Sequence, residues 1–151
     1  MGGRMDDLVT VESPIDEVFA FVADQANNRL WKPFVSQSER VYPGPLGVGS
    51  QFVEGIDLFN RHLTGIVEVL EYRPPHWYVY RTRDEPYPFS LTARLSFRAS
   101  ASGTLIQGQV SLLGHGRVWH WFTPLVRLFI KSQERRSFGR LKRVMENPKH
   151  E

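Results

Sequence analysis

The last quarter of the chain, residues 119–147, carries its only long stretch with a sustained helical period. Apolar residues recur there at three- and four-residue spacings and form one stripe on a helix: Phe122, Leu125, Val126, Phe129, Ile130, Leu141 and Val144. Pro124 suits the first turn of that helix, where its missing N–H needs no partner, and Asn147 and Pro148 end it. A single long amphipathic helix needs a sheet to cover its stripe.

The chain length fits one domain, residues 1–151, with an ordered core expected over residues 7–147. Cysteine is absent, which excludes disulfides, thiol catalysis and cysteine-ligated metals. The N-terminus lacks the apolar segment of a secretory signal. The longest apolar run, interrupted by Arg127, is too short to span a membrane. We therefore expect a cytoplasmic protein with no integral membrane segment.

Short strands and two small helices are predicted before the long helix. After a first strand at Leu8–Glu12, Ser13 caps a helix that Pro14 begins. A second short helix, Gln25–Trp31, stops at Lys32 because a residue before proline avoids the α region. Six more strands are predicted from alternating apolar residues and turn signals: Ser36–Tyr42, Gln51–Ile56, Asn60–Tyr72, Trp77–Arg83, Phe89–Phe97 and Thr104–Leu113.

Short turns between consecutive strands favour antiparallel pairing. The predicted fold is therefore α+β, with a curved antiparallel sheet of about seven strands around the C-terminal helix. Two short helices follow the first strand. Because a coiled sheet and one helix do not touch everywhere, the space between them is a cavity wherever side chains do not fill it.

Several segments resemble one protein family. They are VESPIDEVFAFVAD at residues 11–24, Trp31 and Pro33, GSQF at 49–52, VLEYRPP at 69–75 and LKRVME at 141–146. Together they resemble the polyketide cyclase/dehydrase and lipid-transport proteins of the START-like, Bet v 1-like superfamily. The resemblance implies a helix-grip fold with an apolar cavity that binds a lipid, sterol, polyketide or similar molecule. Only some members of the family catalyse a reaction, so the fold does not decide the function.

A ligand site in such a cavity combines an apolar wall with a few polar anchors. We predict that the wall consists of Phe52, Phe59, Tyr80, Phe89, Leu91, Trp121, Phe122, Leu125 and Phe129. Gln133 and Ser137 interrupt the apolar stripe of the helix, and Gln109 lies on the last strand, so these are candidate anchors. Each apolar residue is equally compatible with an ordinary core, and the polar group with a structural cluster.

Three residues are candidates for catalysis. His62 begins a strand and, facing the cavity, could act as a general base. Glu54 alternates with Phe52 and Ile56, so burial would raise its pKa. Arg81 lies on a neighbouring strand. No metal-binding spacing, nucleophile elbow or phosphate loop accompanies them, and we expect neither a metal nor a cofactor.

The final helix carries an excess of basic residues: Arg127, Lys131, Arg135, Arg136, Arg140, Lys142 and Arg143. A solvated helix face explains them better than nucleic-acid binding, for which no motif is present. The run Trp119, His120, Trp121 is too bulky to face inward as a whole. These side chains would line the cavity mouth, touch a membrane or meet a partner chain, as in a homodimer.

The sequence thus predicts a protein that binds a hydrophobic small molecule between the sheet and the C-terminal helix. Two alternatives stay open. The first is an enzyme like the polyketide aromatase/cyclases, acting through His62, Glu54 and Arg81. The second is a membrane- or protein-interaction module that uses the basic helix.

Overall fold

A computed structural model describes the backbone of residues 2–58, 60–82, 89–114 and 117–146. Within these ranges, the side chains of residues 2–5, 58, 89, 113, 117–123 and 126 lie outside the description. The predictions for six residues therefore concern side chains that the structure does not describe: Phe59, Phe89, Trp119, His120, Trp121 and Phe122.

Seven antiparallel strands form one sheet in the order β1-β7-β6-β5-β4-β3-β2. The strands are β1 (Gly2–Val11), β2 (Val35–Arg40), β3 (Gln51–Leu58), β4 (Arg61–Arg73), β5 (Trp77–Thr82), β6 (Phe89–Ser100) and β7 (Gly103–Gly114). The helices are α1 (Ile15–Ala23), α2 (Asn28–Trp31) and α3 (Arg117–Glu146), with a 3-10 turn, Gln25–Asn27, before α2. The predicted α+β helix-grip fold is confirmed.

Two predicted boundaries are wrong. β1 begins at Gly2 rather than Leu8, because it pairs with β7 along its whole length, from Gly2 with Leu113 to Val11 with Thr104. α3 begins at Arg117, so Pro124 lies inside the helix instead of in its first turn. A proline inside a helix removes one backbone hydrogen bond, and the turns before it still form.

The inner face of the sheet carries the core. Alternate residues of the central strands are buried, among them Val67, Tyr78 and Ile106. Phe19 of α1 packs its ring on this face, with its centroid 5.1 Å from that of Phe97. The Tyr78 hydroxyl donates a hydrogen bond to the Val22 carbonyl, 3.3 Å away, which fixes α1 on the sheet.

Among the described side chains of α3, those of its second half pack against the sheet. Ser137, Phe138 and Leu141 are buried, whereas Leu125 and Leu128 are 61% and 72% exposed. At about 100° per residue, Leu128 lies roughly opposite Ser137 on the helix. The prediction that Leu125 belongs to the apolar wall of the cavity is therefore wrong.

Candidate functional site

A cavity of about 50 Å³ lies between the second half of α3 and the inner face of the sheet. Its lining comes from the α2–β2 connection, from three strands and from α3. These residues are Trp31, Lys32, Phe34, Tyr80, Leu91, Ala93, Leu95, Gly108, Val110, Ile130, Glu134, Ser137 and Phe138. Most of the lining is apolar, and the charged and hydroxyl groups are few.

The stacked rings of Trp31 and Phe138 make the cavity small. Their centroids are 6.3 Å apart and their planes differ by 5°. Phe138 reaches the sheet because β7 has a glycine beneath it; a Cβ on Gly108 would lie 3.2 Å from Phe138 Cζ. The volume suits a few water molecules and is well below the roughly 300–1,000 Å³ of drug-sized sites. A ligand larger than that must displace Phe138 or α3.

The cavity contains one buried cation, Lys32. The extended backbone of Lys32 after α2 turns its side chain inward, where the residue is only 8% exposed. Its Nζ donates a hydrogen bond to the Tyr80 hydroxyl at 3.1 Å. The same Nζ lies 5.0 Å from the Trp31 ring centroid and 5.1 Å from that of Tyr80, within range of cation–π attraction.

Two carboxyl groups lie near this cation. Glu54, buried on β3, accepts a hydrogen bond from Asn28 Nδ2 at 2.9 Å. Burial raises the pKa of Glu54, an effect that the Lys32 charge and the Asn28 hydrogen bond oppose. Burial raises the pKa of Glu134, on α3, to about 7, although the Lys32 charge lowers it. The site therefore contains one carboxyl group, that of Glu134, with a pKa near neutral pH.

Three polar atoms of the lining residues have no hydrogen-bond partner in the described part of the chain. They are Trp31 Nε1, Ser137 Oγ and Glu134 Oε2. Trp31 and Ser137 are 1% and 3% exposed, so water outside the protein does not satisfy them. A buried polar group without a partner costs about 1–3 kcal/mol. A ligand with a hydrogen-bonding group would recover part of that cost.

The structure brings only some of the predicted ligand residues to this cavity. Tyr80 and Leu91 line it, while Phe52 is buried in the core away from it. Gln109 lies on the opposite face of β7, since its neighbours Gly108 and Val110 both face the cavity. The placement of Gln109 in the cavity is therefore wrong, because adjacent strand residues point to opposite faces.

The catalytic candidates also lie on different faces of the sheet. Only Glu54 is buried on the inner face. Arg81 is exposed, with Nη2 3.2 Å from Glu68 Oε1, because the preceding residue, Tyr80, points inward. His62 is also exposed, and its Nδ1 lies 2.9 Å from Asp57 Oδ1. The structure therefore does not bring the three catalytic candidates together in one cavity.

Phe129 and Gln133 line a second, more open cleft with His62. The cleft measures about 590 Å³, and Pro33, Phe34, Asp57, Asn60, Arg61 and Arg136 complete its lining. Although it is larger, its side chains are mostly exposed and polar, so solvent competes for the polar contacts. The enclosed cavity beside Lys32 is the better ligand site.

From the sequence, neither Lys32 nor Glu134 is predicted as a site residue. The position of Lys32 before Pro33 predicts only the end of a helix. Glu134 follows Ile130 by four residues and precedes Leu141 by seven, so it belongs to the buried stripe of α3. That spacing was the available signal. For Lys32 no comparable signal exists, because the backbone turn at Pro33 sets the direction of its side chain.

Among the described residues, no three histidine, aspartate or glutamate side chains are grouped so as to hold a metal ion. None of the described helices has the length and apolar character needed to cross a membrane.

Solved structures with the same fold include enzymes and proteins without a stated activity. The Zhui aromatase/cyclase from Streptomyces sp. R1128 is 12% identical, with a TM-score of 0.79 over 95% of this chain and 96% of that one. A START superfamily protein from Mycobacterium smegmatis is 15% identical, with a TM-score of 0.76 over 95% and 97% of the two chains.

The di-domain aromatase/cyclase BexL, from the BE-7585A biosynthetic pathway, is 20% identical with a TM-score of 0.77. It matches 96% of this chain, which spans only 50% of the BexL chain. At these identities, the structural likeness establishes the fold alone.

No curated protein matches the sequence. A family model described as polyketide cyclase/dehydrase and lipid transport matches residues 4–146. The chain therefore belongs to the polyketide cyclase/dehydrase and lipid-transport family.

Proposed function

We propose that this protein binds a hydrophobic small molecule in the cavity between the sheet and α3. The observation that carries the proposal is an apolar cavity whose polar groups are buried and incompletely bonded. Lys32 and Tyr80 provide a charged and a phenolic donor, and Trp31 Nε1 and Ser137 Oγ have no partner among the described residues. Membership of a lipid-transport and cyclase family supports the same conclusion.

The cavity volume limits what enters without rearrangement. About 50 Å³ admits a small group, so an aromatic body must push aside the Phe138 ring that stacks on Trp31. Phe138 lies on α3 over Gly108, and its ring takes no part in the pairing of β6 with β7. We therefore expect binding to move Phe138 and the middle of α3 rather than the strands.

Titration of 15N-labelled protein with 2-acetylnaphthalene tests this proposal. The indole N–H of Trp31 and the amides of Gly108 and Ser137 should shift on binding. The indole N–H of Trp77 is an internal control, because it donates a hydrogen bond to Glu71 Oε1 at 3.1 Å and Trp77 does not line the cavity. Shifts at Trp77 without shifts at Trp31 would place the ligand elsewhere and refute the proposal.

A matched pair of variants sharpens the test. Gly108→Ala adds a methyl group 3.2 Å from Phe138 and narrows the cavity, so it should weaken binding of 2-acetylnaphthalene severalfold. Gly139→Ala adds the same group on α3, where nothing lies within 4 Å, and should leave binding unchanged. Equal effects of the two substitutions would argue against the cavity.

A cyclase-like activity is a second candidate, favoured by one observation. Glu134 has a pKa of about 7 and shares the cavity with Lys32 and Tyr80. A base of that pKa next to a cationic donor suits removal of a proton beside a carbonyl and stabilisation of the enolate. The test is exchange of the methyl protons of 2-acetylnaphthalene in D₂O, followed by NMR. An exchange rate that Glu134→Gln does not lower would exclude this role.

A further inference from the structure

We propose that the ligand of this cavity is a weak organic acid, with an apolar body and an anionic oxygen group that binds Lys32. The oxygen group is a carboxylate, a phenolate or an enolate, which share the chemistry of a charged acceptor. This inference rests on the proposed function and adds the class of ligand to it.

The first argument is the state of the buried cation. A lysine ammonium carries three donor hydrogens, and the hydrogen bond that the structure describes from Nζ goes to the Tyr80 hydroxyl. The remaining contacts are the faces of Trp31 and Tyr80. Burying a charge is costly unless an opposite charge compensates it closely. The cation therefore favours an anion over a neutral ligand.

The second argument is that the two nearby carboxyl groups compensate the cation only from a distance. Glu54 is held by Asn28, and Lys32 acts on Glu54 and Glu134 through its charge rather than through a hydrogen bond. Oε2 of Glu134 has no hydrogen-bond partner in the described part of the chain. A ligand anion in direct contact with Nζ would bind the cation more closely than either residue does.

The third argument is the set of neutral donors around the same space. The hydroxyls of Tyr80 and Ser137 and the indole N–H of Trp31 all belong to the cavity lining. Burial raises the pKa of Tyr80, so its hydroxyl keeps its proton. Hydrogen bonds from such donors to an ionised oxygen are about twice as strong as those to a neutral one.

Glu134 links the binding of an anion to pH. The groups that act on it are Lys32, from the α2–β2 connection, and Asp6 and Asp7 of β1, which raise its pKa. If Glu134 takes up a proton as the anion binds, the net charge of the cavity does not change. With its pKa of about 7, the protonated fraction falls about tenfold from pH 6 to pH 8. Affinity for the anion should fall by about the same factor.

The experiment compares 2-naphthoate with 2-acetylnaphthalene by isothermal titration calorimetry at pH 6 and pH 8. A carboxylic acid of ordinary pKa, about 4, stays ionised at both values. We expect 2-naphthoate to bind at least tenfold more tightly than the ketone at pH 6 and about tenfold more weakly at pH 8 than at pH 6. The affinity of the ketone should not change.

Variants assign the effect to residues. Lys32→Met should remove the preference for naphthoate, Lys32→Arg should keep most of it, and Lys131→Met, at an exposed position of α3, should leave it unchanged. Glu134→Gln should keep the preference and remove its pH dependence. If Lys32→Met fails to fold, the pH profiles of the Lys32→Arg and Glu134→Gln proteins decide the question.

The outcomes separate this inference from the function on which it rests. Equal affinity for the two probes at both pH values would overturn the inference and leave ligand binding intact. Binding of the ketone alone would do the same. Failure of both probes to bind would overturn the proposed function and the inference with it. A naphthoate preference that persists in the Lys32→Met protein would place the anion at another group.

Discussion

Replacing Glu134 by glutamine should stabilise the protein at pH 8 and have little effect at pH 5. Glutamine has nearly the shape of the protonated acid and carries no charge at any pH. In the folded protein, burial holds the pKa of Glu134 at about 7, against 4.5 for an ordinary glutamate. The fold therefore favours the protonated acid, and deprotonation above pH 4.5 favours the unfolded chain.

The magnitude follows from these two pKa values. Their difference, at about 1.4 kcal/mol per pKa unit, sets a ceiling of roughly 3.4 kcal/mol on the free energy of unfolding lost between pH 4.5 and pH 7. Glu134 is only partly buried, and solvent screens part of this effect, so we expect about 1–2 kcal/mol. For a domain of this size that corresponds to a difference of about 3–6 °C in Tm.

Urea unfolding followed by circular dichroism at pH 5, 6, 7 and 8 measures this effect. The stability of the Glu134→Gln protein relative to the natural one should rise across that series and level off above pH 7. Glu54 contributes with the same sign in both proteins and cancels in the difference. Glu39→Gln, at an exposed position of β2, is the matched control and should show no such rise. Parallel pH profiles for the natural and Glu134→Gln proteins would refute the reasoning.

Three further predictions concern the packing around α3 and β7. Leu141→Ala should lower the free energy of unfolding by about 2–5 kcal/mol, because Leu141 is fully buried. Leu128→Ala should change it by less than about 0.5 kcal/mol, because Leu128 is exposed. Similar losses for the two variants in urea unfolding would contradict the assigned helix face. Gly139→Ala should raise stability by about 0.5–1 kcal/mol, since nothing lies within 4 Å of the added Cβ in this helix; a lower Tm would show that the position is crowded. Gly103→Ala should cost at least about 2 kcal/mol, because φ is +151° and the new Cβ would lie 2.1 Å from the Val11 carbonyl oxygen; an unchanged unfolding midpoint would exclude that turn geometry.

Hydrophobic periodicity and turn residues are enough to predict the strands and the antiparallel pairing of those joined by short turns. Apolar and polar residues alternate along β6, where Leu91, Ala93 and Leu95 lie on one face of the strand. Only one orientation of the strand buries that apolar face. The same rule excludes Arg81 and Gln109 from the cavity, since Tyr80 and Val110 beside them point inward. The exclusion of Arg81 and Gln109 from the cavity is therefore predictable from the alternation of residues along each strand.

Other features of the site depend on tertiary packing. Which half of α3 is buried depends on where the helix crosses the sheet, and Phe138 reaches the sheet over Gly108. The apolar residues of the first half, such as Leu125 and Leu128, resemble a core stripe in sequence although they are exposed. The inward direction of Lys32 likewise follows from the path of the chain between α2 and β2. Neither the position of α3 on the sheet nor the direction of the Lys32 side chain produces a periodic pattern in the sequence.

The pairing of β1 with β7 has a consequence for the order in which the sheet forms. β2 to β7 join neighbours along the chain through short connections, whereas β1 meets its only described neighbour about a hundred residues later. Closing a loop of that length carries a large entropic cost before any contact repays it. Contacts of high sequence separation also slow folding. During synthesis on a ribosome, β1 therefore cannot pair with β7 until β7 has been made. The sheet is completed only when nearly the whole chain has emerged.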